Sequence, residues 1–385
     1  MNARPADRWA KTTFGRLARI GNGADYSSVE IEEGGYPVYG SGGEFRRASS
    51  HLFDGESVLF GRKGTVDRPL YVEGKFWTVD TMFYSIIDRS RLHPRFAYYW
   101  ATTLPFGAWA TDTALPSMTS TAIKAAPIAL PSMPEQRAVA DYLDRETARI
   151  DAFIAKNEEL IALLTERRAS SIVDLIGNHA TIPLKRLVTS KRPLTYGILQ
   201  CGEPVATGIP YIGPSDLPGE GVSPALESLR RTTPEIAAAY GRSVLKGGDI
   251  VVSIGPAFGR VGLLSDDLAG ANLTQDTVRV ATMPEKISAQ YLVWVLSSRI
   301  AHDFWDYEIL GATFRRLNLG TLGETPVPFP SLDEQQRIAG AVAEAVAKID
   351  EAIDVAKHTV ELARERRAAL ISAAVTGKID VGVPT

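Results

Sequence analysis

Four arginine-bearing stretches hold the residues of this chain whose type and setting suit a binding chemistry. Arg46 and Arg47 lie in GSGGEFRRASSH, Arg62, Lys63 and Thr65 in FGRKGT, Arg260 in PAFGRVG, and Arg315 and Arg316 in GATFRRLN. Glycine beside arginine lets a loop approach a phosphate backbone closely, and the guanidinium fork matches the edge of a guanine in the major groove. Any one of them reads more simply as an ordinary surface residue; taken together they point to nucleic acid. The formal net charge of −3 supplies no bulk attraction for DNA, so the positive charge has to be local.

Other chemistries find less support. Cys201 is alone and cannot form an internal disulfide, and histidines 51, 93, 179, 302 and 358 have no metal-ligand spacing. GNG at 21–23 lacks the rest of a dinucleotide fingerprint, and neither Gly74-Lys75 nor Gly377-Lys378 belongs to a phosphate-binding loop. No nucleophile, base and orienting group stand out, so no catalytic residue and no metal site is expected in this chain. No apolar run reaches the roughly 18 residues needed to cross a bilayer, and the N-terminal MNARPADRWAKTTF has no hydrophobic signal region. Apolar content of 45% and charged content of 23% describe a globular protein, expected in the cytoplasm with no membrane partner.

The elements that position those arginines emerge from an internal repeat. Displaced by 199 residues, Leu130–Ile172 aligns with Phe329–Ile371 without a gap, and 15 of 43 positions are identical. PSMPEQ (131–136) and PSLDEQ (330–335) are the matched entrances, each after a proline-spaced approach. Ser132-x-x-Glu135 and Ser331-x-x-Glu334 both spell a reciprocal capping box. Beyond them apolar residues recur at steps of three and four: Leu143, Ile150, Phe153, Leu160 and Leu164 in one copy, and Val342, Ala345, Ile349, Ala352, Ala356, Val360 and Ala363 in the other. Two long amphipathic helices are expected, ending near Gly177 and Gly377 and packed as an antiparallel coiled coil, with Asn157 a polar interruption of the first stripe. At about 1.5 Å per residue, some 40 residues give a rod of roughly 60 Å.

Ahead of each helix lies a segment of different texture. SVLFG (57–61) and DIVVSIG (249–255) read as strands, and PRFAYYWATTL (94–104) and AQYLVWVLSS (289–298) as aromatic helices. The fold class is therefore α+β: two mixed domains, residues 1–130 and 179–329, alternate with helical spacers, 131–178 and 330–385, in a pseudo-twofold repeat. The spans 134–172 and 333–371 each hold 8 acidic and 6 basic residues, so the helices dilute any basic surface on the domains.

On these residues the chain resembles the specificity subunit of type I restriction–modification systems. The resemblance rests on the PS-x-x-EQ entrances, on Ala148-Arg-Ile-Asp151 and Ala347-Lys-Ile-Asp350, on the ERR near each helix end, and on AAVTGKIDV at 373–381; it covers the whole chain. It implies two target recognition domains, each reading one half of a split site in double-stranded DNA. Paired helices would set the unread gap, so that helix length sets spacing. It also implies two modification (methyltransferase) subunits docked largely on the helices, with restriction subunits joining them. Glu135, Gln136, Ile150, Asp151, Glu334, Gln335, Ile349 and Asp350 are the corresponding docking and spacer candidates. The chain itself would carry no cofactor, with S-adenosylmethionine, ATP and magnesium in the partners. The absence of any Pro-Pro pair, and so of an adenine methyltransferase's Asn/Asp-Pro-Pro-aromatic motif, agrees. The sequence leaves two other readings: a chain directing a fused methyltransferase–nuclease, and a coiled-coil assembly protein with no DNA role. The ending SSIVDLIGNHATIPL is a weaker form of AAVTGKIDV and leaves the inner boundary open within 173–183.

Overall fold

The computed structural model describes residues 8–109, 117–255, 257–309 and 315–382. The chain divides into two compact units, Met1–Glu158 with Lys357–Thr385, and Glu159–Ala356. The start of TALPSMTSTAIKAAP and residues 312–314 of its repeat partner lie outside the described residues.

In the first unit an antiparallel sheet runs in the order Ala18–Asn22, Met82–Ile87, Ser57–Gly61, Leu70–Val72. SVLFG is buried at every residue, as a short apolar run paired on both edges should be. The helix Pro94–Ala101 buries Phe96, Tyr99 and Trp100, and Trp100 stacks on Phe14 with ring centroids 4.7 Å apart. Leu143 of one long helix and Ile371, Ala374 and Val375 of the other complete that core, so the globular segment and the helices share one hydrophobic interior. A second sheet, ordered Glu30–Ile31, Gly43–Ala48, Tyr36–Gly40, Lys75–Thr78, Phe53–Asp54, contains one parallel pairing, Val38 with Trp77.

The second unit repeats the strand order: Thr195–Tyr196, Thr277–Val280, Ile250–Ser253, Val261–Leu263. Its aromatic helix, Ala289–Ser297, buries Tyr291, and Trp305 of the next helix is fully enclosed. Here the second sheet has three strands among the described residues, Arg231–Thr232, Ile209–Ile212 and Asn272–Leu273, again with one parallel pairing.

Each long helix has 44 residues, Met133–Ile176 and Leu332–Val375. Their ends differ by the same 199 residues as their starts. Gly177 at φ +71° and Gly377 at φ +67° stop them, because the left-handed turn that closes the last carbonyls suits glycine. In the first unit Asp151 bonds Arg367 and Glu158 bonds Arg364, so one helix number rises as the other falls and the pairing is antiparallel. In the second unit Arg168 bonds Asp350, and Ile172, Ile176, Ile338 and Val342 of the two helices belong to one hydrophobic core. No helix among the described residues is long and apolar enough to cross a membrane.

Two expectations need correction. Phe153 and Leu160 are 48% and 44% exposed, and Ala352 is exposed; the buried neighbours are Ile154, Val346 and Ile353. A three-four pattern can be drawn through either of two adjacent apolar residues, and the seam takes the branched one. The second capping box is only half formed: Glu334 N–H donates to Ser331 Oγ at 3.4 Å, while the Glu334 carboxylate accepts from Arg337 Nε at 3.1 Å. In the first box Ser132 N–H reaches Glu135 at 2.9 Å and Glu135 N–H reaches Ser132 Oγ at 3.5 Å. Asn157 is half-buried, and its amide donates to Phe153 O in its own helix.

Candidate nucleic-acid interface

The repeated glutamine is the joint between each long helix and the globular segment ahead of it. Gln136 is 1% exposed; its Oε1 accepts from His93 N–H at 2.7 Å, and its Nε2 donates to Arg91 O and Pro131 O, each at 3.0 Å. Gln335, fully buried, accepts from Ser288 N–H at 2.9 Å and donates to Lys286 O and Pro330 O at 3.1 and 3.0 Å. His93 and Ser288 both precede the first residue of the aromatic helix, where an N–H has no partner within the helix. Both glutamines therefore face inward and hold each domain at its entrance.

The aspartate of the ARID and AKID segments and the last arginine of ERR form the second repeated contact. Arg367 Nε bonds Asp151 at 2.8 Å, and Arg168 Nε bonds Asp350 at 2.6 Å. Since 151 and 350, and 168 and 367, are repeat equivalents, each unit holds one copy of the same pair. Ile150 and Ile349 are half-buried beside these aspartates. Glu135 stays at the helix entrance, its pKa lowered: burial raises it, and the two hydrogen bonds from Ser132 outweigh burial.

The arginine loops fall into two settings. After the buried strand of the first unit, Arg62 and Lys63 both donate main-chain N–H to Thr81 O, Arg62 O accepts Met118 N–H at 2.9 Å, and the Arg62 guanidinium sits 5.8 Å from the Phe83 ring. Gly61 has no room for a Cβ, which would fall 2.2 Å from Thr65 O; Arg62, Lys63 and Thr65 are exposed on the resulting tight turn. In the second unit Leu317 N–H reaches Ile254 O at 3.0 Å, the repeat equivalent of the Met118 contact. That brings together Arg315, 5.7 Å from the Phe258 ring and bonded to Asp306, and Arg316, which donates to Gln275 O at 2.8 Å and pairs with Asp276 at 3.1 Å. Arg260 Nη1 donates to Leu217 O at 3.3 Å from the hairpin of the same loop.

Arg46 and Arg47 lie elsewhere, on Gly43–Ala48 of the five-stranded sheet, paired with Glu30 and Glu44 at 3.2 Å each. With Phe45, 49% exposed, they line an open concavity. Among the described contacts nothing joins them to the Arg62 loop. The structure thus gives most of these arginines a carboxylate, which the bare sequence does not reveal.

Sequence reasoning missed several residues. Phe258 puts an aromatic face beside Arg315, and Phe45 lines the same concavity as Arg46 and Arg47, without periodicity to flag either. Arg95, stacked 4.5 Å from the Tyr71 ring, bonds Asp144 at 2.6 and 3.1 Å, and Tyr99 also donates to Asp144 at 2.6 Å. Burial lowers the Arg95 pKa but the bonds to Asp144 leave it raised. His302, beneath Gly259, has its pKa lowered by burial, which outweighs its bond to the Gly259 main chain. No three potential metal ligands gather among the described residues.

The family model described as "Type I restriction modification DNA specificity domain" matches residues 7–162 and 204–354. The specificity subunit of the type I restriction enzyme EcoBI from Escherichia coli is 23% identical over 387 residues, covering 89% of this chain and 80% of that protein. The MjaVIII specificity subunit of Methanocaldococcus jannaschii is 30% identical over 146 residues, 37% of this chain and 33% of that one. Among solved structures, a chain from a study of complex assembly and conformational transition of the type I R-M system superposes with a TM-score of 0.76 at 14% identity, over 96% of this chain and 98% of its own. The HsdS subunit from Thermoanaerobacter tengcongensis gives 0.53 at 13% identity, over 96% and 97%. At these identities the two structures speak for the fold.

Proposed function

We propose that this chain, which belongs to the type I restriction modification DNA specificity family, reads a bipartite DNA site, one half through each unit. It is a type I specificity subunit, a DNA-recognition component, and the fused methyltransferase–nuclease alternative is not favoured by its curated relatives. In our reading the chain is non-catalytic and acts in the cytoplasm. Two modification subunits dock largely on the helices and use S-adenosylmethionine. Restriction subunits use ATP and magnesium.

The observation that carries this reading is that what is shared and what differs are separated. Strand order, glutamine joint and aspartate–arginine pair recur at matched positions, while the arginine loops and the second sheets do not. A frame kept constant with divergent loops suits two readers of different half-sites. Contact with both halves gains from the effective concentration of the second once the first is bound. Half-sites about one turn apart, roughly 34 Å, present the same groove.

Magnitudes explain why paired arginines suit the task. An exposed ion pair such as Arg315–Asp306 contributes about 0–1 kcal/mol, whereas a bidentate arginine–guanine contact discriminates by about 1–3 kcal/mol. The guanidinium can therefore give up its exposed carboxylate at little cost when a base edge is offered.

Mapping methylated adenines in cells expressing all subunits tests the reading: a split motif with a fixed gap is expected, and an unsplit motif overturns it. Arg315→Ala with Arg316→Ala should then relax one half of that motif only. Unchanged specificity would remove this loop from the reading surface.

A further inference from the structure

The loop Gly219-Glu220-Gly221 of the second unit holds three consecutive residues at positive φ, +108°, +49° and +81°. Glu220 is the one residue with a side chain among the described residues to do so. A left-handed backbone is unfavourable for such a residue and persists where its surroundings compensate. Gly221 has a steric reason: a Cβ there would lie 2.7 Å from Val293 Cγ1 of the aromatic helix. Glu220 has none, and a third glycine would fit the turn better. What it has that glycine lacks is a carboxylate.

That carboxylate grips Arg168 of the first long helix, accepting from Nη1 at 2.6 Å and also from Nη2. Arg168 meanwhile holds Asp350 of the second long helix through Nε at 2.6 Å and Nη2 at 3.1 Å. The hydrogen bonds to Glu220 and then to Asp350 raise the Arg168 pKa against burial. The repeat equivalent Arg367 bonds Asp151 through the same two nitrogens, but its side chain is 31% exposed against 16% for Arg168. The second unit thus extends the repeated pair into a bridge that reaches the recognition domain.

What the bridge holds bears on reading. Gly221 N–H donates to Val261 O at 2.9 Å and Leu263 N–H to Gly221 O at 3.3 Å, so the loop is stitched to Val261–Leu263, the strand that leaves Arg260. Arg260 in turn donates to Leu217 O, just ahead of the same loop. We propose that Glu220 and Arg168 are positioning residues that lock the Arg260 hairpin of the second recognition domain onto its helices, and so set how strictly that domain reads its half-site. This rests on the reading of the second unit as a half-site reader. A bidentate carboxylate–guanidinium pair fixes orientation as well as distance, and misplacing a contact by about 1 Å can cost on the order of a hundredfold.

Glu220→Gly separates this role from a merely structural one, because glycine relieves the backbone while deleting the grip. The full-length variant is assembled with its methyltransferase subunits and tested on duplexes carrying the site mapped with unmodified protein, each altered by one base pair in one half. The expected result is an unfolding temperature equal to or above that of the unmodified protein, with discrimination in the second half-site down about tenfold and in the first unchanged. Glu220→Gln, which keeps part of the hydrogen bonding, should fall between. Full discrimination in both halves, or a loss shared equally by both halves, overturns the proposal. Failure of the underlying reading looks different: the unmodified protein itself would be indifferent to changes in one half.

Discussion

The two units solve one attachment problem in two ways. Both use a buried glutamine at the helix entrance, but each adds its own side-chain tether. In the first unit Asp144 receives Arg95 and Tyr99 from the aromatic helix. In the second, position 343 is Ala where the repeat has Asp144, and the tether moves down the rod to Arg168 and Glu220. The contrast separates the frame, which depends on the shared contacts, from the setting of each domain, which can be adjusted by one residue pair.

Replacing the glutamines should have the largest effect and tests the shared part. Gln136→Leu or Gln335→Leu leaves three main-chain groups without their partner, at about 1–3 kcal/mol for each one left unsatisfied, so a loss of at least roughly 3 kcal/mol is expected in the corresponding unit. Urea unfolding followed by hydrogen exchange in each unit would reveal it; clearly unequal losses would break the equivalence. Asp144→Ala should cost roughly 1–2 kcal/mol in the first unit, discounted because the pair is about one-third exposed, while Ala343→Asp should bring the second unit no gain. Gly177→Ala and Gly377→Ala should each cost about 1 kcal/mol, since both require a left-handed backbone, and a difference between them would show that the helix ends are not equivalent.

The smallest effect is at the caps, where pH sharpens it. Ser132→Ala and Ser331→Ala should each cost about 1 kcal/mol or less. Glu135 has a lowered pKa, so its contribution is full above the ordinary carboxylate range and is lost as pH falls through its folded value. Glu334 is lowered too, by Arg337 first of all. Acidification should therefore weaken both entrances. Ser132→Ala should reduce the acid sensitivity of the first, leaving the part carried by the main-chain N–H of residue 132, and Ser331→Ala should leave that of the second, as followed by thermal unfolding between neutral and acidic pH.

Much of the frame was legible in the sequence because its signals are local or repeated. The caps, the stop glycines and the Ile150-Asp151 and Ile349-Asp350 segments lie at fixed offsets. The seam was misdrawn by one residue at Phe153 and Leu160, because neighbouring apolar residues compete for one narrow groove and only packing decides. The site was less legible. Arg315 and Arg316 could be picked out by type, but their carboxylates, Asp306 and Asp276, come from separate segments. Arg279 shows the converse: it lies in a strand, is 2% exposed, and donates to main-chain oxygens of Arg242, Val244 and Pro193 as part of the scaffold. Glu220 gave no signal, since a positive φ cannot be read from an isolated glutamate.

The glutamine joint has a consequence for how such a chain can change. Every hydrogen bond that the side chains of Gln136 and Gln335 make across the joint goes to the main chain: an N–H and a carbonyl of the domain, and a carbonyl of the helix approach. Such a socket is indifferent to the letters of whatever is plugged into it, provided the incoming segment brings a helix start at the right place. Whole reading modules can then be exchanged by recombination at the matched entrances without retuning the joint, and only the private tethers need to co-evolve with the module they hold.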